Sequence, residues 1–156
     1  MRLRVASVGQ RMPGWVTEAW DTYARRMPRE LPLELIEIPL VKRGNNADLA
    51  RHRRTEGKAL YDAAGAGAHV VALDGRGKSW STEQLAQRLE HWMGQGKHCA
   101  FLIGGPDGLD EPSLSQAAEC WSLGPLTLPH PLVRVLLAEQ LYRAWTITRN
   151  HPYHRA

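Results

Sequence analysis

The segment His69-Val70-Val71-Ala72-Leu73-Asp74-Gly75-Arg76-Gly77-Lys78-Ser79-Trp80-Ser81-Thr82-Glu83-Gln84 holds a strand, its end and the start of a helix. Its run to Leu73 is compact and apolar, as a buried strand is. Gly75 and Gly77 close that strand with a turn whose glycines permit positive φ. Ser81-Thr82-Glu83-Gln84 has the form of a capping box, so a helix is predicted from Thr82 to Met93.

The same strand-then-helix unit recurs on both sides. Upstream, Leu3 to Val8 reads as a strand ending at Gly9, and Val16 to Met27 has helical apolar spacing at Val16, Ala19, Trp20, Tyr23 and Met27. Leu33 to Ile38 is rich in strand formers and stops at Pro39. Lys42 to Asn46 has the composition of a flexible loop, and Asp48 can cap a helix running to Ala63. Downstream, Cys99-Ala100-Phe101-Leu102-Ile103 is another buried strand, ended by Gly104-Gly105-Pro106-Asp107-Gly108. Leu126-Thr127-Leu128 is predicted as a short last strand. Pro131 then opens a long helix, with Val133, Leu136, Leu137, Leu141, Ala144 and Trp145 forming its apolar stripe. Strands alternating with helices predict an α/β fold, a mainly parallel sheet with helices on both faces. Ligands of such sheets bind beyond the strand C-termini. The candidate site is therefore assembled from Leu73 to Gly77, Gly104 to Gly108, and Leu123 to His130.

With 156 residues, 43% of them hydrophobic, the chain suits one domain spanning 1–156. Charge within Met1-Arg2-Leu3-Arg4-Val5 argues against a targeting core, and no window reaches the roughly 18 unbroken apolar residues that cross a bilayer. The expectation is a soluble, unprocessed, cytoplasmic protein with no membrane partner. Cys99 and Cys120 lie in apolar surroundings without CxxC spacing, which points to buried thiols rather than a disulfide framework or a zinc site. The net charge of +4 is uneven: residues 1 to 58 hold 12 Lys or Arg against 7 Asp or Glu. Such a surface can attract RNA, and a plain solvated face is at least as common.

Individual motifs divide between two readings. Gly75-Arg76-Gly77-Lys78-Ser79 resembles the end of a P-loop, but Ala72 stands where the first glycine is required, and no GxGxxG follows a strand; triphosphatase and nicotinamide chemistry are thereby disfavoured. The glycines of 104–108 would let a ligand meet bare backbone, although tight turns use glycine for conformation alone. Trp121 to His130 is apolar, with two prolines and a glycine; it fits either the lining of an adenine pocket or a buried connection under the last helix. Arg134 and Arg143 project differently from that helix and need partners if buried, which a dimer seam would supply. His130 is expected to cap the helix. His151 and His154 lack further ligands nearby, so no metal is expected.

Taken together, Leu73-Asp74 with Gly75 to Ser79, Ile103-Gly104-Gly105-Pro106-Asp107-Gly108-Leu109, Leu126-Thr127-Leu128-Pro129-His130, the run Arg134 to Ala144 and terminal Pro152-Tyr153-His154 strongly resemble the RlmH family. The resemblance extends over essentially the whole chain, including Trp15, Glu37-Ile38-Pro39 and Lys42-Arg43-Gly44. It implies a SPOUT-class methyltransferase acting on N3 of a pseudouridine in helix 69 of 23S ribosomal RNA, on the assembled ribosome, with a C-terminal trefoil knot and a homodimer whose partner completes the RNA site. It places S-adenosylmethionine against Leu73, Gly104 and the stretch Leu123, Gly124, Pro125, Leu126, Thr127 and Leu128. Gly124-Pro125 departs from the family, where a serine and a longer side chain are more usual, a difference in the pocket's hydrogen bonding.

Methyl transfer from a sulfonium is an in-line displacement, helped chiefly by alignment and exclusion of water. A ring N3 carries a proton at neutral pH, so a base must remove it or a cation must stabilise the imide anion. Arg143 is the candidate for the anion or an adjacent phosphate, and Tyr153 with His154 for positioning the base or removing its proton. The competing readings are a non-catalytic ribosome-binding factor, distinguished by failure to bind S-adenosylmethionine, and a transfer-RNA methyltransferase, distinguished by which RNA is modified.

Overall fold

The computed structural model describes residues 1–42 and 48–154. Its elements run β1 (Leu3–Val8), α1 (Gly14–Ala24), β2 (Leu33–Ile38), α2 (Leu49–Ala64), β3 (His69–Ser79), α3 (Thr82–Gln95), β4 (Cys99–Ile103), α4 (Glu111–Gln116), β5 (Glu119–Ser122) and α5 (His130–Thr148), with a 3-10 turn at Pro152–His154. The strands form one sheet in the order β2-β1-β4-β3-β5, and each neighbouring pair of these strands is parallel. Alternate strand residues feed two cores. Leu3, Val5, Val71 and Phe101 pack with Trp20, Leu85, Leu89, Leu137 and Leu141 from α1, α3 and α5. Ala6, Val8, Ala72 and Leu102 pack with Leu60 and Ala64 of α2, and Leu114 of α4 joins their edge. Both faces are thus covered, as the alternation of elements predicts.

Local signals hold where side chain and backbone speak together. The Ser81 hydroxyl accepts from the Gln84 N–H while the Gln84 side chain accepts from the Ser81 N–H, completing the capping box. Asp48 accepts from the Arg51 N–H at 3.1 Å. Residues 43–46 of the expected loop lie outside the described residues.

Four expectations are corrected. β3 does not end at Gly75; it continues to Ser79, with a register shift between Leu73 and Lys78. Gly77 serves close approach rather than positive φ, since a Cβ there would lie 2.5 Å from the Cys120 carbonyl carbon. The last strand is Glu119–Ser122, not 126–128; Pro125 and Pro129 flank the latter segment, which runs as a loop with Leu126 exposed. His130 does not cap α5: Pro129 is the N-cap and no side-chain cap bond forms.

Candidate functional site

Because all strands run the same way, the C-terminal ends of β3, β4 and β5 open on one edge of the sheet. There the loops after them enclose a cavity of about 780 Å³ lined by Leu73 to Gly75, Ile103 to Pro106, Gly108 and Leu109, and Trp121 to His130, with Val133 of α5. Leu73, Gly104 and the whole of Leu123 to Leu128 line this one space. A Cβ on Gly104 would sit 2.7 Å from the carbonyl carbon of Gly108, so the turn closes on itself only around glycine. Gly105 and Gly108 form an antiparallel bridge, and Gly108 has φ 75°. Ser122 steadies the next loop: its hydroxyl accepts from the Gly124 N–H and lies 3.2 Å from the Gly124 carbonyl, to which it donates. Gly124 has φ 123°, outside the usual range of a side-chain-bearing residue.

Asp74 lines the cavity and accepts at 2.9 Å from both the backbone N–H and Nε of Arg76; Arg76 also donates to Glu111 at 2.6 Å. Burial alone would raise the Asp74 carboxyl, but the Arg76 bonds and charge outweigh it and hold the group below its ordinary range. Trp121, buried at the cavity wall, stacks on Trp80 with ring centres 4.8 Å apart. The Asp74-Arg76-Glu111 chain was invisible to sequence reading because Glu111 is remote in sequence.

Arg143 and Tyr153 are brought together, with His154 next to Tyr153 in the 3-10 turn, but none of the three lines the cavity. The Glu139 carboxylate accepts from Arg143 Nε at 2.8 Å and from the Tyr153 hydroxyl at 3.1 Å, and the Arg143 guanidinium lies 5.1 Å from the Tyr153 ring centre. Tyr153 meets Tyr142 edge-on at 4.6 Å, and Arg26 lies over both rings. Burial, then Glu139, pushes the Tyr153 phenol up to about 12, so it holds its proton at neutral pH. Along α5, the thirteen-residue step from His130 to Arg143 is about 20 Å at 1.5 Å per residue. Within one copy, tail and cavity are separate.

Arg134, expected to need a dimer seam, finds its partners in its own chain. It is 1% exposed and donates to Glu37 Oε2 at 2.8 Å, Ser7 Oγ at 3.1 Å and the Gly9 carbonyl at 3.3 Å. This ties α5 to β1 and β2. No helix among the described residues is long and apolar enough to cross a membrane, and no group of three or more His, Cys, Asp or Glu among them could hold a metal.

Residues 1–154 match the family model described as "Predicted SPOUT methyltransferase". Over 155 residues the chain is 56% identical to the Ribosomal RNA large subunit methyltransferase H of Hahella chejuensis, covering 99% of both proteins. It is 54% identical over 155 residues to the protein of that name from Pseudomonas fluorescens, covering 99% of this chain and 100% of the relative. In fold it is similar to the "probable methylase family protein" of Haemophilus influenzae Rd KW20, with TM-score 0.60 and 11% identity over 99% of this chain and 70% of the other. TrmJ of Z. mobilis ZM4 is also similar, with TM-score 0.52 and 17% identity over 93% of this chain and 69% of the other.

Proposed function

We propose, since the chain belongs to the SPOUT methyltransferase family and within it to the RlmH members, that it transfers a methyl group from S-adenosylmethionine to N3 of a pseudouridine in helix 69 of 23S ribosomal RNA. The reading takes the 156 residues as one cytoplasmic domain with a C-terminal trefoil knot, acting as a homodimer on the assembled ribosome. The observation that carries it is the cavity itself. Three loops at the strand C-termini offer bare backbone at Gly104, a turn at Gly124 and apolar walls, and about 780 Å³ suits a nucleoside-sized ligand. The donor set fits S-adenosylmethionine: Leu73, Gly104 and Leu123 to Leu128 would hold it. Bound there, it supplies an electrophilic methyl carbon on a sulfonium.

The chain's own residues then align and dry the site. Asp74 keeps its charge beside the cavity through Arg76. Tyr153 acts as a hydrogen-bond donor rather than a base, because its proton is held to about pH 12. Proton removal from N3 falls to His154, and Arg143 stabilises the anion that forms. Their separation from the cavity in one copy supports the homodimer: the tail of one subunit serves the cavity of the other. The test is transfer of labelled methyl groups to ribosomes lacking the modification, followed by mapping of the nucleotide. Wild-type protein is expected to label one pseudouridine of 23S RNA, and Arg143→Ala and deletion after Asn150 to lose at least about a hundredfold in rate. Absence of transfer from folded, dimeric wild type to ribosomes and to free RNA refutes the reading.

A further inference from the structure

Among the described residues, the cavity lining holds two ionisable side chains, Asp74 and His130. Asp74 is already engaged by Arg76. His130 is different. Its ring is wedged against the end of β1, where a Cβ on Gly9 would fall 2.8 Å from Cε1 and 3.1 Å from the Met12 methyl. Its Nδ1 is buried without a hydrogen-bond partner, and so is Nε of Arg134, one turn further along α5. The imidazole is thus held on one edge and faces a buried cation.

That arrangement selects a protonation state. Burial, then the Arg134 charge, lowers the affinity of His130 for a second proton, so the ring is neutral at neutral pH. A proton on Nδ1 would bury an unpaired donor near another donor, whereas a lone pair there faces a positive charge. The single proton therefore belongs on Nε2. We propose that His130 is a positioning residue whose Nε2–H donates a hydrogen bond to an oxygen of the bound reactants, and this rests on the methyltransferase reading above. The acceptor chemistry is one, with two sources: the carboxylate of the methyl donor, or the ring carbonyl beside the attacked nitrogen. A neutral donor suits either, since an imidazolium in the same cavity would repel the sulfonium.

The experiment compares His130→Gln, His130→Asn and His130→Leu with wild type by two measurements. One is the dissociation constant of S-adenosylmethionine by calorimetry; the other is kcat and KM for methyl transfer to unmodified ribosomes. A Gln amide nitrogen reaches the place of Nε2 and an Asn amide the place of Nδ1. The expectation is that Leu and Asn lose about tenfold while Gln stays within about threefold of wild type. Loss in S-adenosylmethionine affinity assigns the carboxylate; loss in kcat at unchanged affinity assigns the ring carbonyl. A Leu variant within about twofold of wild type in both measurements overturns the proposal, as does a Gln variant that falls with Leu and Asn. If Leu fails to fold, the Gln and Asn pair carries the test. Wild type that neither binds S-adenosylmethionine nor transfers methyl groups defeats the function itself and this proposal with it; active wild type with an unaffected Leu variant defeats this proposal alone.

Discussion

Replacing Arg134 with leucine should unfold the protein at markedly lower temperature. The guanidinium is 1% exposed and holds Glu37, Ser7 and the Gly9 carbonyl at once. Ser7 is fully buried, so its oxygen and the Gly9 carbonyl would lose a donor that water cannot easily replace. A buried polar group left unpaired costs about 1–3 kcal/mol. Glu37 keeps 35% of its side chain exposed and can be rehydrated, which holds the whole near the lower part of the roughly 3–5 kcal/mol seen when one partner of a buried pair is removed. About 3 kcal/mol corresponds to a fall in melting temperature of about 6–12 °C for a chain of this length. Glu37→Gln should cost about 1 kcal/mol, because the guanidinium retains its other two acceptors. Thermal and urea unfolding of the two variants measure this directly. An Arg134→Leu protein within about 1 kcal/mol of wild type would show that the three bonds do not hold α5 to β1, and would refute the reasoning.

Gly104→Ala should weaken S-adenosylmethionine binding by more than about tenfold and destabilise by about 1–3 kcal/mol, because the new methyl meets the Gly108 backbone at 2.7 Å. Gly105→Ala meets only side-chain atoms, Val8 Cγ1 at 3.0 Å and Leu40 Cδ1 at 3.4 Å, and should bind within about threefold of wild type; calorimetry on the pair fails the argument if the two behave alike. Burial first, then neighbouring anionic groups, raises the Tyr61 and Tyr153 phenols from 10.0 to about 12. A folded pKa above the unfolded one contributes stability below pH 10 that is lost as pH rises from 10 towards 12. Absorbance titration of the phenolate band should show a late component reduced in Tyr61→Phe and in Tyr153→Phe; all four tyrosines ionising together near 10 would contradict it.

How much of this was legible in the sequence depends on how far away the deciding partner lies. The capping box at Ser81 to Gln84 is complete within four consecutive positions, and the cavity loops follow from strand direction, so both could be read in advance. Gly77 was read as a turn because its real constraint, the backbone of Cys120, is on another strand. β5 is short and carries Glu119 and Cys120, so it lacks the alternation that announces a strand. The partners of Arg134 lie at positions 7, 9 and 37, beyond any local pattern. The RlmH resemblance supplied Arg143, Tyr153 and His154 as a group, and the carboxylate that Arg143 and Tyr153 share, Glu139, emerges from the fold.

β1 is made first, yet it lies inside the sheet between β2 and β4. Its second neighbour begins at Cys99, and the side chain that anchors Ser7 comes 127 positions after it. Contacts of such sequence separation must wait for chain ends to meet, which slows folding relative to helical proteins built from local pairs. Almost the whole polypeptide must therefore leave the ribosome before the first strand is enclosed, and a nascent chain stopped short of α5 exposes the apolar face that Leu137 and Leu141 would cover.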